Sequence, residues 1–487
     1  MAWTRKRALF AALIFALLAG ALLFLLLRGS PAEETPPAPP QGLNRYALSL
    51  RLNPEEKSLA VSEALDFHND TGDTLTTLVL RTWLNAYQTE ETSPAALEEL
   101  YDSCYPAGFS PGYLALYDVL WNGERAAWAY LDAAETALEI SIPALAPGEG
   151  GRLELRCVAY LPHCAHRTGY TGDTFQLGQT IPLLSRYENG AWRTDAYAPV
   201  GDPFVNDCAD FSLSLSAPQG YVPICSAPLT QDAAGTWRGE IAAARELGLC
   251  VSGEYQCAQA QAGNIRLLAY AREEAAARRM LRYARQALET FQALYGAYPY
   301  ASYTLCQADF PFGGMEYAAF ALIGGDYLAE GRQDSLELIL AHETAHQWFY
   351  ALVGSDQWNQ PWQDEALCEY AMLRYVRARY GQGSFETLRH YRVDEPLREA
   401  LPALTPASPL DYFSTLHDYT AVVYGRGAAL ALALEEALPG GVDAFLRAYV
   451  EKFAFAYVSR ADFEDFLCQY AGMDLRPLLL DYLDTLM

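Results

Sequence analysis

Residues 342–346 read His-Glu-Thr-Ala-His, and Glu365 follows the second histidine after eighteen intervening residues. On a helix, His342 and His346 stand one turn apart on one face, with about 5–6 Å between Cβ atoms. Two imidazoles so placed can converge on one ion at about 2.0–2.1 Å. With Glu365 as a third ligand they leave a fourth coordination position open, the arrangement of a hydrolytic zinc centre, so one Zn2+ is the expected cofactor. Glu343 is rotated about 100° around the helix axis from His342 and is poorly placed as a ligand. It can instead take a proton from water held in the open position, as a general base.

The elements that must carry these groups are legible around them. The runs Leu336–Ala341 and Trp348–Val353 are strongly apolar. A helix this apolar is buried on most sides, where two histidines and a glutamate are costly unless a metal and partners satisfy them. Asp334 and Glu337 give this helix a start, and Gly354 a stop. The helix bearing Glu365 should begin near Asp364 and run to about Tyr380, with Gly381 ending it. Upstream, a helix is expected over Ala271–Tyr295, then a short strand over Tyr303–Cys306 leading into Phe312-Gly313-Gly314-Met315-Glu316-Tyr317. Helical periodicity dominates from Phe385 onward, as in Gly427–Leu438 and Ala461–Ala471.

From Tyr46 to Glu254 the period is two. Tyr46, Leu48, Leu50 and Leu52 alternate with smaller or polar residues, as do Leu59, Val61, Leu65 and Phe67. Turn residues such as Asn69–Asp73 and Pro147–Gly151 separate the runs, which predicts an all-β, sandwich-like domain. An acidic insertion, Glu90–Asp102, is its main helical exception.

The chain has 487 residues, enough for two or three domains, and a formal net charge of −26. A surface this anionic repels phosphate backbones, which excludes nucleic acid as a partner. Arg5, Lys6 and Arg7 precede twenty uncharged, mostly apolar residues, Ala8–Leu27, closed by Arg28. Twenty residues at 1.5 Å rise span a bilayer core of about 30 Å. The expected organisation is therefore a cytoplasmic tip and single-pass membrane anchor over 1–28, with the remainder extracytoplasmic, the alternative being a secreted protein after signal cleavage. A Pro-rich linker over 29–43 follows, with five prolines between Pro31 and Pro40. Ten cysteines outside the membrane permit disulfides, and Cys157/Cys164 and Cys250/Cys257 are close enough in sequence to close small loops; the alternative is that several are simply buried thiols.

Taken in order, Gly313-Gly314-Met315-Glu316-Tyr317, His342-Glu343-x-x-His346, Glu365 and Tyr424-Gly425-Arg426-Gly427-Ala428 resemble the gluzincin aminopeptidases typified by membrane alanyl aminopeptidase, over roughly 44–487. The resemblance implies an α+β multidomain fold: an N-terminal β-saddle or sandwich domain over 44–258, then a thermolysin-like zinc peptidase domain with C-terminal helices over 259–487. It implies His342, His346 and Glu365 as zinc ligands, Glu343 as general base and Tyr424 as the hydroxyl that steadies a tetrahedral oxyanion. It implies Glu316 as the carboxylate that holds a substrate's free N-terminus, and the backbone at Gly313 and Gly314 as the edge lining a bound peptide. Two motifs depart from the family pattern: Tyr317 stands where Asn is usual, and Glu365 lies between Asp364 and Ala366 rather than between Asn and Gly.

The expected function is thus a membrane-tethered zinc aminopeptidase acting on extracytoplasmic peptides. The alternatives are a zinc endopeptidase or other zinc hydrolase with an open cleft, and a non-catalytic binding protein stabilised by its zinc. Glu343 and Tyr424 argue against the last, because a purely structural site needs neither. Tyr419 is the neighbouring alternative to Tyr424, and Glu369, one turn after Glu365, is placed either to orient a ligand histidine or to face solvent. His163, Cys164 and His166 form a second metal-capable cluster for which a loop or disulfide role is the better reading.

Overall fold

The computed structural model describes residues 35–399 and 403–485. The anchor expected over 1–28 lies outside them, as does the linker up to residue 34. Among the described residues no helix is long and apolar enough to cross a membrane.

The period-two runs become strands. Along Arg45–Asn53, Tyr46, Leu48, Leu50 and Leu52 are buried while Arg45, Ala47, Ser49 and Arg51 face out. This strand pairs antiparallel with Ser58–His68 and parallel with Ala209–Ser216, at the centre of an eight-stranded sheet. Two four-stranded sheets accompany it, one built around Leu75–Arg81 and Ala137–Leu145, the other around Thr174–Leu177 and Leu249–Ser252. One position breaks the inward apolar pattern. Glu63 lies between Val61 and Leu65, is 2 % exposed, and among the described residues has no hydrogen-bond partner at either carboxylate oxygen. Burial pushes its carboxyl up to about 8.

The acidic insertion is less helical than its composition suggests. It yields only short turns, Pro94–Ala96 and Tyr101–Cys104. Pro94 lacks the amide to extend a helix through it, and Pro106 biases Tyr105 away from helical geometry.

The last sheet has five strands, in the order Gln256–Ala262, Ile265–Ala271, Ser302–Ala308, Phe320–Gly324 and Gly314–Tyr317. Its three central strands run parallel, and Gly314–Tyr317 closes one edge antiparallel to Phe320–Gly324. Helix Glu274–Tyr295 begins three residues later than its composition suggests, because Ala271 pairs with Gln256 in the sheet. One large hydrophobic core runs from Tyr46 to Leu483 and joins the β-rich part to the helices, and a smaller cluster gathers Leu373, Phe385, Val393, Ala428 and Ala429. The architecture is α+β, with an N-terminal β-rich part, a mixed sheet and C-terminal helices.

Two further expectations change. The helix that starts at Gln333 ends at Ala345, with His346 as its cap, instead of reaching Gly354. Beyond it the Ala351 amide reaches back to the His346 carbonyl at 2.9 Å, and Phe349 leaves helical geometry. The Tyr350 carbonyl is taken by the Arg245 guanidinium at 2.7 Å, so a continuing helix could not use it. The ten cysteines are all unpaired thiols and eight are buried. Cys157 packs inward from its strand, which removes it from the Cys157/Cys164 loop considered above.

Candidate metal centre and catalytic cleft

Two helices and one strand edge assemble the site. Gln333–Ala345, with its cap residue, presents His342, Glu343 and His346. Trp362–Tyr380 presents Glu365 from its first turn, where the helix dipole favours a carboxylate. The edge strand Gly314–Tyr317 presents Glu316.

His342 Nε2 and His346 Nε2 lie 3.1 Å apart. Glu365 Oε2 is 3.1 Å from the first and 3.4 Å from the second. Three donors bound tetrahedrally at 2.0–2.1 Å would be about 3.3–3.4 Å apart. The three atoms therefore already form one face of such a tetrahedron, and the set of two imidazoles and a carboxylate suits a borderline-soft divalent cation. Both imidazoles are buried, and each turns its other nitrogen outward to a carboxylate that fixes it. His346 Nδ1 meets Asp364 Oδ1 at 2.6 Å. His342 Nδ1 lies 3.7 Å from Glu369 Oε2. Glu369 is fully buried and held by the Arg392 guanidinium through two bonds of 2.7 and 2.8 Å, so it does not face solvent.

Glu343 is 6 % exposed, and its Oε2 is buried with no partner among the described residues, as befits a group waiting for a proton donor. Burial lifts its carboxyl to about 7, against the pull of His342 and His346; a bound cation would draw it down again. The edge strand reaches it closely: a Cβ on Gly314 would lie 2.3 Å from Glu343 Oε1. Glu316 is 3 % exposed, and its carboxylate shares a space with the Glu343 carboxylate and the His346 imidazole, with ligand atoms all within 4.8 Å of one another. Gln357 links this pole to the histidine pair, donating to Asp364 Oδ2 at 2.6 Å and reaching Glu316 Oε1 at 3.5 Å. Tyr424 lays its ring on His342, with centroids 5.3 Å apart and planes at 14°, while Tyr419 stands edge-on to it at 5.6 Å. Gly313 lines the same cleft, its space bounded by Ile339 at 3.2 Å.

The eight residues singled out in the sequence thus lie in or beside one cleft. The second cluster goes elsewhere: His166 is buried with Nδ1 at 2.6 Å from the Tyr87 hydroxyl, and His163 stacks on Tyr170. Sequence reasoning passed over Asp364, Gln357, Arg392 and the buried pair Arg167–Asp202, which closes at 2.6 Å beside the cleft. Only Asp364 carried a signal, its position next to a ligand; Arg392 sits on the helical segment His390–Asp394 and the others lie outside the site helices.

Residues 279–482 match the model of the peptidase family M1 domain. Leukotriene A-4 hydrolase of Xenopus laevis is 30 % identical over 210 residues, which are 41 % of this chain and 33 % of that protein. Aminopeptidase N of Streptomyces lividans is 25 % identical over 403 residues, 76 % of this chain and 45 % of that protein. The chain thus spans less than half the length of these curated relatives. Among solved structures, a mutant M1 zinc metallopeptidase from Deinococcus radiodurans bound to a Tyr-Ser-Ala substrate aligns with a TM-score of 0.62 at 20 % identity, covering 93 % of this chain and 97 % of that one. This last likeness is one of fold.

Proposed function

From the premise that this chain belongs to the gluzincin aminopeptidase family, we propose that it is a zinc aminopeptidase that removes N-terminal residues from peptides. The observation that carries the reading is the tetrahedral face formed by His342, His346 and Glu365, with two further buried carboxylates, Glu343 and Glu316, opening onto the same space. A structural metal site would use neither. The substrate named for the Deinococcus radiodurans enzyme, a tripeptide, agrees with it.

When bound, the zinc ion polarises the scissile carbonyl and lowers the pKa of water toward about 7. Glu343 accepts the proton of the attacking water and returns it to the leaving amine. The Tyr424 hydroxyl donates to the oxygen on which negative charge develops, an interaction stronger in the transition state than in the ground state. Glu316 pairs with the substrate's ammonium and so fixes which peptide bond reaches Glu343. The backbone of the Gly313–Gly314 edge lines the peptide, as an open sheet edge can. Asp364 and Glu369 hold the tautomers and ring orientations of His346 and His342.

The full-length protein in detergent is assayed on a free peptide and on the same peptide N-acetylated, with metal content measured on each sample. The free peptide is expected to lose residues stepwise from its N-terminus, and acetylation to abolish this. Glu343→Gln is expected to remove turnover while zinc stays bound. Unchanged cleavage of the acetylated peptide would favour a zinc endopeptidase and strip Glu316 of its role; normal turnover by Glu343→Gln would dismiss the mechanism.

The same proposal places the catalytic part outside the cytoplasm, tethered by the apolar segment within 1–28, with residues 44–258 as a β domain and 259–487 as the catalytic domain. Basic residues flanking twenty uncharged ones support this. Membrane fractions washed at alkaline pH should retain the chain; quantitative release into the supernatant would leave the secreted alternative.

A further inference from the structure

The cleft over the first site helix has a volume of roughly 480 Å3, and the walls and floor around it are rich in carboxylates: Asp202, Glu316, Glu343, Glu365 and Glu369. Two guanidinium groups line it, Arg167 and Arg392. Arg167 is 9 % exposed and consumed by Asp202 at 2.6 Å and the Gly201 carbonyl at 3.3 Å. Arg392 differs. Its side chain is 38 % exposed, and only Nε and Nη2 engage Glu369. Among the described residues, Nη1 has no hydrogen-bond partner. A planar guanidinium gripped along one edge and open at the other is preorganised to take a second carboxylate.

Its position gives that carboxylate an identity. The two imidazoles converge through Nε2 and diverge through Nδ1. The His346 side leads through Asp364 and Gln357 to Glu316, the proposed seat of the substrate's ammonium. The His342 side leads through Glu369 to Arg392. Steps of 3.7 and 2.8 Å that share Glu369 Oε2 hold Arg392 Nη2 within 6.5 Å of His342 Nδ1. An extended residue advances about 3.3–3.6 Å. Arg392 also lines the cleft that holds His342, Glu343 and Tyr424, so a chain whose N-terminus sits at Glu316 and whose first peptide bond sits at the histidine pair can extend along that cleft and set a carboxylate one or two residues further on against Arg392.

We propose that Arg392 receives the free C-terminal carboxylate of the substrate, so that the preferred substrates are di- and tripeptides rather than long chains. This rests on the aminopeptidase reading above and adds the far end of the substrate to it. An arginine serving only as counter-ion to Glu369 would show no such preference.

The test uses the full-length enzyme with its metal and two matched pairs: trialanine as free acid and as C-terminal amide, and hexaalanine likewise. For the tripeptide, the acid is expected to be favoured at least about tenfold in kcat/KM, chiefly through KM, because the contact is made before and during the reaction alike. For the hexapeptide, whose terminus lies beyond reach, the preference should fall to about onefold. In the double variant Arg392→Gln/Glu369→Gln, which removes both charges and leaves no buried carboxylate unpaired, the tripeptide preference should vanish; the acid-to-amide ratio is read on zinc-saturated enzyme, because Glu369 also lies against His342. Equal rates on the tripeptide acid and amide in the wild-type enzyme would overturn the inference without help from any variant, as would a preference that survives in the double variant. Turnover of neither pair would sink the aminopeptidase reading itself, whereas turnover without preference sinks only the role of Arg392.

Discussion

Replacing Gly314 with alanine isolates the general base without touching it. A Cβ there would lie 2.3 Å from Glu343 Oε1, 2.4 Å from its Cδ and 2.5 Å from its Cγ, whereas ordinary contact begins at 3.4 Å. The carboxylate must retreat by the difference, about 1.1 Å. Gly314 does not have a positive φ, so alanine suits its backbone and the strand should form. A reacting group displaced by about 1 Å loses on the order of 10²-fold in rate, or about 2.7 kcal/mol of transition-state stabilisation. Gly314→Ala is therefore expected to lower kcat on a free peptide by about a hundredfold, with bound zinc unchanged and an unfolding midpoint within a few degrees of wild type. Gly313→Ala is the control. Its Cβ meets Ile339 Cγ1 at 3.2 Å, a contact an aliphatic side chain relieves by a small shift, and its loss should stay under about fivefold. The split of the effect matters too, because Glu316 is two residues along the same strand: a fall in kcat follows from Glu343, a rise in KM from Glu316. Gly314→Ala with activity within threefold of wild type and its metal in place would refute the placement of Glu343 as base.

Two other outcomes are expected. Tyr424→Phe keeps the ring stacked on His342 and loses only the hydroxyl, so kcat should fall by about 10²–10³ with KM little changed; a variant that turns over normally would pass the oxyanion to Tyr419 or to no side chain. Glu63→Gln should flatten one component of the pH dependence of stability. Because burial pushes the Glu63 carboxyl up to about 8 from an ordinary 4.5, the native chain keeps a proton that the unfolded chain releases between those values. The resulting stability is complete below about pH 4.5 and is lost as pH rises toward 8, by up to about 1.4 kcal/mol per unit. Denaturant unfolding of both chains from pH 5 to 8 should show the variant gaining on wild type as pH rises, and parallel curves would dismiss the effect.

The sequence made the chemistry more legible than the scaffold. A helix face, a ligand spacing and a strand edge are local patterns, so His342, Glu343, His346, Glu365 and the Gly314–Tyr317 edge could be read directly. The length of the first site helix could not, because what ends it is not local: Arg245, about a hundred residues upstream, takes the Tyr350 carbonyl. The cysteines misled for a related reason. Their even count suggested pairing, but Cys157 belongs to a strand whose alternation points it into the core, and burial decides its fate. Arg392 and Gln357 were invisible because each acts through a residue on another element, Glu369 and Asp364, and nothing in their own neighbourhoods announces it.

The two departures from the family pattern acquire a physical account once their neighbours are known. Both place a larger side chain than usual beside the metal site, and both face a glycine. Tyr317 is fully buried, with its hydroxyl 2.1 Å from where a Cβ on Gly178 would stand. Ala366 puts its methyl 2.7 Å from where a Cβ on Gly427 would stand. Neither glycine has a positive φ, so room rather than backbone freedom explains them. Gly427 lies three residues after Tyr424 and opens the helix Gly427–Leu434. The methyl of Ala366 thus occupies space that a side chain at 427 would fill, and the glycine there lets the helix following Tyr424 pack against the ligand-bearing helix. A close-packed interior tolerates added volume only where volume is removed. As Glu343 needs the missing side chain at 314, so Tyr317 and Ala366 need the missing side chains at 178 and 427.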